Sequence, residues 1–388
     1  MKKRVQFVLY MGFFTLGLIL SISGPMISTI RLDINMSYSQ VGLILSGYSI
    51  GVLLIALVGG YLADKYGKKP FLIIGGIILA IGLLGCMVSN SFALLMASTT
   101  FAGIGFGIYE IGINALCSDY NDSNKGSAMS LLHLTSGIGA IIGPFVVTLC
   151  LDLLKSWRIV YGILAVFPII VTLILWQVNI DKKISNNSNN NVKHRLPLDN
   201  KFLWISGIFC FVYVGIESTA SGWLPTYWQY ISPKSLISAS FVSIIFWSSV
   251  TAGRLVSGKI ADKVGFTKFI VFASLGTMVL AISWVIVPFK IFTIIAILLL
   301  GGFLSGIFPI IMASVTTRFS SISAEVSSFV VIIGYLGGFF MPLVIGNSID
   351  FVGIAKIPLF VCGLSLLLFV CANLVKKFES LAGRNFDG

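Results

Sequence analysis

The chain has 388 residues, of which 57% are apolar and only 10% charged, with a mean hydropathy of +0.99. A soluble domain carries about 25% charged residues, so this composition excludes a water-soluble globular protein and calls for lipid around most of the chain. The formal net charge of +12 does not point to nucleic acid: the basic residues sit in short segments between apolar runs and form no basic face interleaved with aromatics.

A membrane-crossing helix needs ~20 mostly apolar residues. Twelve runs of that length follow one another: Val5–Ile30, Gln40–Leu62, Pro70–Ser89, Phe92–Leu116, Ser127–Leu151, Ile159–Val178, Phe202–Trp228, Leu236–Ile260, Phe269–Val287, Ile291–Ser314, Val326–Ile349 and Ile357–Val375. Barrel strands would be shorter and would alternate, so the expected class is an all-α integral membrane protein with twelve transmembrane helices. The first run is too long for a signal peptide and no small-residue cleavage site follows it, which predicts a retained first helix. The six cysteines all lie in or beside apolar runs with no CxxC pair, as expected of small buried hydrophobes.

Between the runs the charges divide. With the N-terminus placed in the cytoplasm, nineteen of the 26 basic residues fall on that side, six (Arg31, Lys155, Arg158, Lys234, Lys290, Lys356) on the other, and Arg254 inside a run. The positive-inside rule then sets both termini in the cytoplasm and the protein in the cytoplasmic membrane. The longest polar stretch, Asn179–Lys201, contains Asn186–Asn191 (NNSNNN) and cannot build a packed core, so it reads as a linker. The organisation expected is residues 1–178 as a first six-helix bundle, 179–201 as a cytoplasmic linker, and 202–388 as a second six-helix bundle with a short tail.

The halves echo each other. Asp64 and Asp262 are 198 residues apart, Pro144 and Pro342 also 198, and Gly107-Ile108-Tyr109 and Gly306-Ile307-Phe308 are 199 apart. A constant offset near half the chain length is the mark of a duplicated unit. The most distinctive repeated piece is the charged, glycine-bounded turn Gly59–Lys69 (GGYLADKYGKK) with its weaker copy Gly258–Gly265 (GKIADKVG). Its glycines permit a tight turn, and Asp64 can accept hydrogen bonds from a helix N-terminus or a basic side chain. Lys65, Lys68 and Lys69 hold the loop at an anionic leaflet.

The pattern G-x-L-x-D-x-x-G-K-K between the second and third of twelve helices resembles the signature loop of the major facilitator superfamily. The copy between helices eight and nine, with Arg254 four residues before Gly258, is similar to what that family shows. The resemblance covers the whole chain. It implies two six-helix bundles, alternating access, and a gating loop made of Gly60, Asp64, Gly67 and Lys68 with Arg254, Gly258, Asp262 and Gly265, latching and unlatching the bundles.

Ionisable residues inside a membrane helix are unfavourable and are functional candidates by default. The fourth helix carries Gly103, Gly107, Glu110 and Asn114 in one stripe, and the seventh carries Tyr213, Glu217 and Ser221 in another. Glu110 and Glu217 are the candidate proton carriers. Asn114, His133 of the fifth helix, Tyr213, Glu217 and Ser221 are the candidate substrate contacts. Arg254 lies about two turns before Asp262 and is grouped with the loop. Tyr109–Ala115 (YEIGINA), Leu131-Leu132-His133, Gly139–Gly143 (GAIIG), Tyr213–Glu217 (YVGIE), Phe308-Pro309 and Gly337–Pro342 (GGFFMP) resemble segments of the fucose:proton symporter branch, which includes sugar permeases. That resemblance implies proton coupling at Glu110 and sugar contact near His133 and Glu217. One departure stands out: Gly17–Pro25 (GLILSISGP) lacks the acidic residue that such symporters usually carry in the first helix. Gly139–Pro144 (GAIIGP) also resembles the antiporter motif of drug exporters, with Phe145–Val147 where further glycines would stand.

The sequence therefore leads to a secondary active transporter moving a small polar solute, expected to be a sugar, by proton symport. The alternative is a proton-driven exporter of drugs or amphipathic metabolites, and a non-transporting membrane scaffold is a third reading. No Walker loop and no His/Cys metal spacing occurs, and the two histidines are His133 and His194. No enzymatic activity, cofactor or metal is expected, and the partners are a small molecule, protons and lipid, with the chain monomeric.

Overall fold

The computed structural model describes residues 2–120, 125–178, 196–233, 238–287 and 289–383. Among the described residues the regular structure is helical, and twelve helices are long and apolar enough to cross a bilayer. In order these spans are Arg4–Ile34, Tyr38–Ala56, Lys68–Met87, Phe92–Tyr120, Ala128–Leu153, Trp157–Gln177, Lys201–Ile231, Ala239–Val264, Phe266–Ile286, Lys290–Arg318, Glu325–Val352 and Ile354–Glu379. They match the twelve apolar runs of the sequence, with ends moved by a few residues. The eighth run, expected from Leu236, begins outside the described residues, and its helix is seen from Ala239. Most of the expected linker, including its asparagine tract and His194, also lies outside them. The chain separates into two compact units, Met1–Val192 and Lys193–Gly388.

Within the first unit, span one packs against five and six, span four lies between two and three, and span three also packs against six. The second unit repeats that map: seven against eleven and twelve, ten against eight and nine, nine against twelve. The repeat reaches single residues. Gly139 of span five lies so close to span one that a side chain there would run into the Phe14 carbonyl oxygen. Its partner 198 residues on, Gly337 of span eleven, does the same against the Phe211 carbonyl of span seven. Without a hydrophobic drive between helices in lipid, such backbone-to-backbone approach is what packs them.

The repeat also explains a break. Gly103 abuts the Tyr48 backbone and Gly301 abuts Phe246, both pairs 198 apart. At Gly107 and Gly306 the offset is 199, so span ten carries one more residue than span four between these two pairs of landmarks, and the offset is again 198 at Gly139 and Gly337. Span four is one continuous helix. Span ten is interrupted where the additional residue falls, its helices being Lys290–Leu304 and Ile307–Arg318. An extra residue cannot be absorbed into the i to i−4 ladder without a local break.

The repeated charged segment differs from its sequence expectation. It is helical rather than a loop: Gly59–Tyr66 forms its own short helix, and Gly258–Val264 simply continues span eight. The turn narrows to one residue in each half, Gly67 at φ 88° and Gly265 at φ 94°. Such left-handed backbone suits glycine alone. The second apolar run, read to Leu62, therefore ends as a span at Ala56.

Among the basic residues expected on the charge-poor side, Arg158 and Arg31 have structural partners. Arg158 at the start of span six holds Asp33 at 2.7 Å, the Ser89 carbonyl at 3.1 Å and Asn90 at 2.9 Å. It thereby ties the ends of spans one, three and six. The Arg31 guanidinium stacks 4.1 Å from the Tyr38 ring centre.

Candidate functional site

In the second unit the expected stripe on span seven assembles around Glu217. Tyr213, four residues earlier, is 1% exposed, and its hydroxyl donates to Glu217 Oε1 at 2.9 Å. The Tyr213 ring stacks on Phe308 of span ten, with centres 6.0 Å apart and planes at 27°. Ser221, one turn further, is half-buried.

Arg254, grouped with the gating loop on sequence, has its guanidinium on Glu217: Nη2 lies 3.5 Å from Oε1. The reason is depth. Glu217 lies 14 residues before the end of span seven at Ile231, and Arg254 lies 15 residues after the start of span eight at Ala239. In consecutive antiparallel helices nearly equal counts mean nearly equal level, about 21–23 Å from those ends. That count is available in the sequence, and proximity to Asp262 obscures it. Both side chains keep partial access, 18% for Glu217 and 29% for Arg254, so the pair is neither sealed nor free.

In the first unit the stripe on span four faces span two. Gly103 and Gly107 abut Tyr48 and Ile55, and Glu110 and Asn114 are half-buried further along. The Asn114 side-chain amide donates to the Glu110 carbonyl at 2.8 Å. Its other end, Oδ1, is buried and has no hydrogen-bond partner among the described residues. An acceptor left in this way suits a hydroxyl or amine donor from a ligand or water. His133 of span five is exposed, with its ring edge-on to Phe13 of span one at 5.2 Å. The structure thus groups Glu110 with Asn114 and, separately, Tyr213 with Glu217 and Arg254. The carboxylate that span one does carry, Asp33, lies at its far end on Arg158, so it does not fill the place left without an acid in Gly17–Pro25.

The loop residues are placed as follows. Gly60 and Gly258 have open space where a side chain would go. The side chain of Asp64 lies outside the described residues, and Asp262 is exposed. Lys68 pairs with Asp119 at the end of span four. Lys69 donates to the Trp176 carbonyl at the end of span six at 3.0 Å. Both contacts stay inside the first unit. Asp119 is not among the sequence candidates.

Twelve apolar spans in two like-built six-helix units, with charged side chains placed inside the apolar region, define a multi-pass membrane transporter. The chain belongs to the Major Facilitator Superfamily, whose family profile matches residues 9–342. It is similar to a glucose/mannose transporter of Bacillus subtilis (strain 168), 24% identical with 88% of this chain and 87% of that protein covered. It is also similar to the quinolone resistance protein NorA of Staphylococcus aureus (strain MSSA476), 24% identical with 90% and 91% covered. Among solved structures, a D-xylose–proton symporter superposes with a TM-score of 0.82 at 14% identity over 97% of both chains. The nucleoside transporter NupG gives 0.77 at 15% identity over 97% of this chain and 98% of that one. The structural likenesses establish the fold. The protein is a transporter and not an enzyme.

Proposed function

We propose that this transporter imports a small polar solute, a sugar, by proton symport. The observation that carries the reading is the carboxylate of Glu217 at the middle of span seven, bonded by Tyr213 and faced by Arg254. A charged, hydrogen-bonding group at that depth is unfavourable even when paired and is a functional candidate by default, and it matches hydroxyl-bearing cargo better than an apolar drug. The glucose/mannose transporter among the relatives supports the same cargo class. Glu110 is the second proton carrier, and Asn114, His133, Tyr213 and Ser221 contact the solute. The bias of basic residues supports a cytoplasmic-membrane location with both termini inside, and the two units of one chain suffice as a monomeric carrier.

The test uses the protein reconstituted in vesicles. Glu110→Gln is expected to abolish accumulation of labelled glucose driven by an inward proton gradient while exchange of glucose across the membrane persists. Unchanged gradient-driven uptake in that variant overturns the assignment of Glu110. A second reading, proton-driven export of amphipathic compounds, is favoured by the equally similar NorA. It predicts lowered accumulation of a fluorescent quinolone in expressing cells and no glucose uptake by the vesicles.

A further inference from the structure

Where span one begins and span six finishes, the first unit holds a cleft of about 480 Å³, lined by Arg4 and Phe7 of span one and by Ile174, Gln177 and Val178 of span six. That volume falls within the range of small-ligand sites, about 300–1,000 Å³.

Helical spacing grades the cleft from polar to apolar. Phe7 lies one turn after Arg4, and Ile174 one turn before Gln177. The two helices run in opposite directions, so in both cases the apolar residue is about 4.5 Å deeper in the membrane than the polar one. Arg4 and Gln177 thus form a polar rim, and Phe7 and Ile174 an apolar floor. Phe7 is 56% exposed, and Trp176, beside Gln177, is 69% exposed. Aromatic rings exposed at the end of a spanning helix meet lipid, and tryptophan favours the level of the headgroups.

The charges at this corner set Arg4 apart. Lys68 is paired with Asp119, and Lys69 donates to the Trp176 carbonyl at 3.0 Å. Arg4 is exposed and has no hydrogen-bond or ion-pair partner among the described residues. Its planar guanidinium matches a pair of phosphate oxygens, and the Gln177 amide adds a neutral donor at the same rim. The segment that follows span six, Asn179–Lys201, holds five basic and two acidic residues, so its net charge has the same sign as Arg4. The complementary charge is that of lipid: basic pockets between membrane helices bind anionic headgroups, and an apolar floor one turn deeper suits the start of an acyl chain.

We propose that this cleft binds an anionic glycerophospholipid, with its phosphate on Arg4 and Gln177 and the upper part of an acyl chain along Phe7 and Ile174. The bound lipid bridges the ends of spans one and six and so strengthens one edge of the first unit. None of the candidate proton carriers or solute contacts lines the cleft, so the proposal is the same for sugar import and for drug export.

The experiment is native mass spectrometry of the full-length protein, delipidated in detergent and mixed with phosphatidylglycerol or phosphatidylcholine of identical acyl chains. The wild type is expected to retain one phosphatidylglycerol at severalfold higher occupancy than phosphatidylcholine. Its thermal midpoint should rise by several degrees with phosphatidylglycerol alone, because a ligand that binds the folded state stabilises it. Arg4→Gln is expected to bring both readings down to the phosphatidylcholine level. Lys376→Gln, the same change of charge at an exposed site near the end of span twelve, should leave them unchanged. Equal retention of the two lipids by the wild type overturns the site. So does an equal loss in Arg4→Gln and Lys376→Gln, which would trace the preference to the net charge of the protein. Glycerol 3-phosphate at the same concentration is expected not to displace the lipid; displacement would make this a site for soluble phosphate esters and overturn the lipid assignment. Should Arg4→Gln fail to fold, Gln177→Leu removes the neutral donor and is expected to lower retention of phosphatidylglycerol and not of phosphatidylcholine, and unchanged retention there overturns the polar rim.

Discussion

The two six-helix units share a scaffold and differ in what they carry. Gly139 and Gly337 make the same close approach, Gly67 and Gly265 the same left-handed turn, and the neighbour maps coincide. Their interiors do not. The first unit offers Glu110, Asn114 and His133, whereas the second offers a carboxylate and a guanidinium facing each other with a buried tyrosine between helices seven and ten. A duplicated unit has kept the small residues that let helices touch and has exchanged the polar ones. Packing positions tolerate almost no change, because an added methyl meets backbone, whereas a polar position on a half-buried face can change its chemistry without moving a helix.

The largest break in that comparison comes from splitting the Glu217–Arg254 pair of the second unit. Arg254→Gln leaves Glu217 without its counter-charge inside an apolar span. Breaking a fully buried pair from one side costs about 3–5 kcal/mol; the partial access of both side chains lowers this to roughly 2–3 kcal/mol. The double variant Arg254→Gln with Glu217→Gln should recover most of the loss, since two neutral amides can bond each other and Tyr213. Thermal unfolding in detergent measures it. A double variant no better than the single one would show that the two residues do not act as a pair.

The next effect probes what the units share. Gly139→Ala and Gly337→Ala each place a methyl against a carbonyl oxygen of the neighbouring helix. Overpacking of this kind costs about 1–3 kcal/mol, and the repeat predicts similar losses from both. Expression and thermal stability of the two variants, compared side by side, check it. A large loss from one and none from the other would mean that the duplicated contact does unequal work.

Much of this architecture is legible in the chain. The twelve spans follow from apolar length, since lipid leaves no other way to satisfy the backbone, and the duplication follows from offsets held at Asp64, Pro144 and Gly107. The stripe Tyr213–Glu217 follows from helical spacing. Two features are harder to see. The segment Gly59–Tyr66 is helix because only Gly67 breaks the ladder, whereas its cluster of charges and glycines suggests a loop. Arg254 stands near Asp262 in sequence, but its depth in the membrane matches Glu217.

The smallest effect tests the ends of spans four and ten. Asp119 corresponds to Arg318 at the 199 offset, and Lys68 to Phe266 at 198. The first unit therefore closes this corner with an ion pair, Lys68–Asp119. The second has no carboxylate at that position, and Arg318 instead lies over the Phe202 ring, 4.6 Å from its centre. The Lys68–Asp119 pair is partly exposed, 11% and 25% for the two side chains, and lies at the end of its span rather than at mid-span; an ion pair so placed contributes about 0–1 kcal/mol and is screened by salt. A cation over an aromatic face contributes a similar ~0.5–1 kcal/mol, partly through the packing of the arginine stem on the ring. Asp119→Asn should thus lower thermal stability slightly at low ionic strength and not at all in molar salt. Arg318→Gln should lower it by a like amount with a weaker dependence on salt, because part of what is lost is contact rather than charge. Identical salt dependence in the two variants would remove the distinction and show that both corners are held by charge alone.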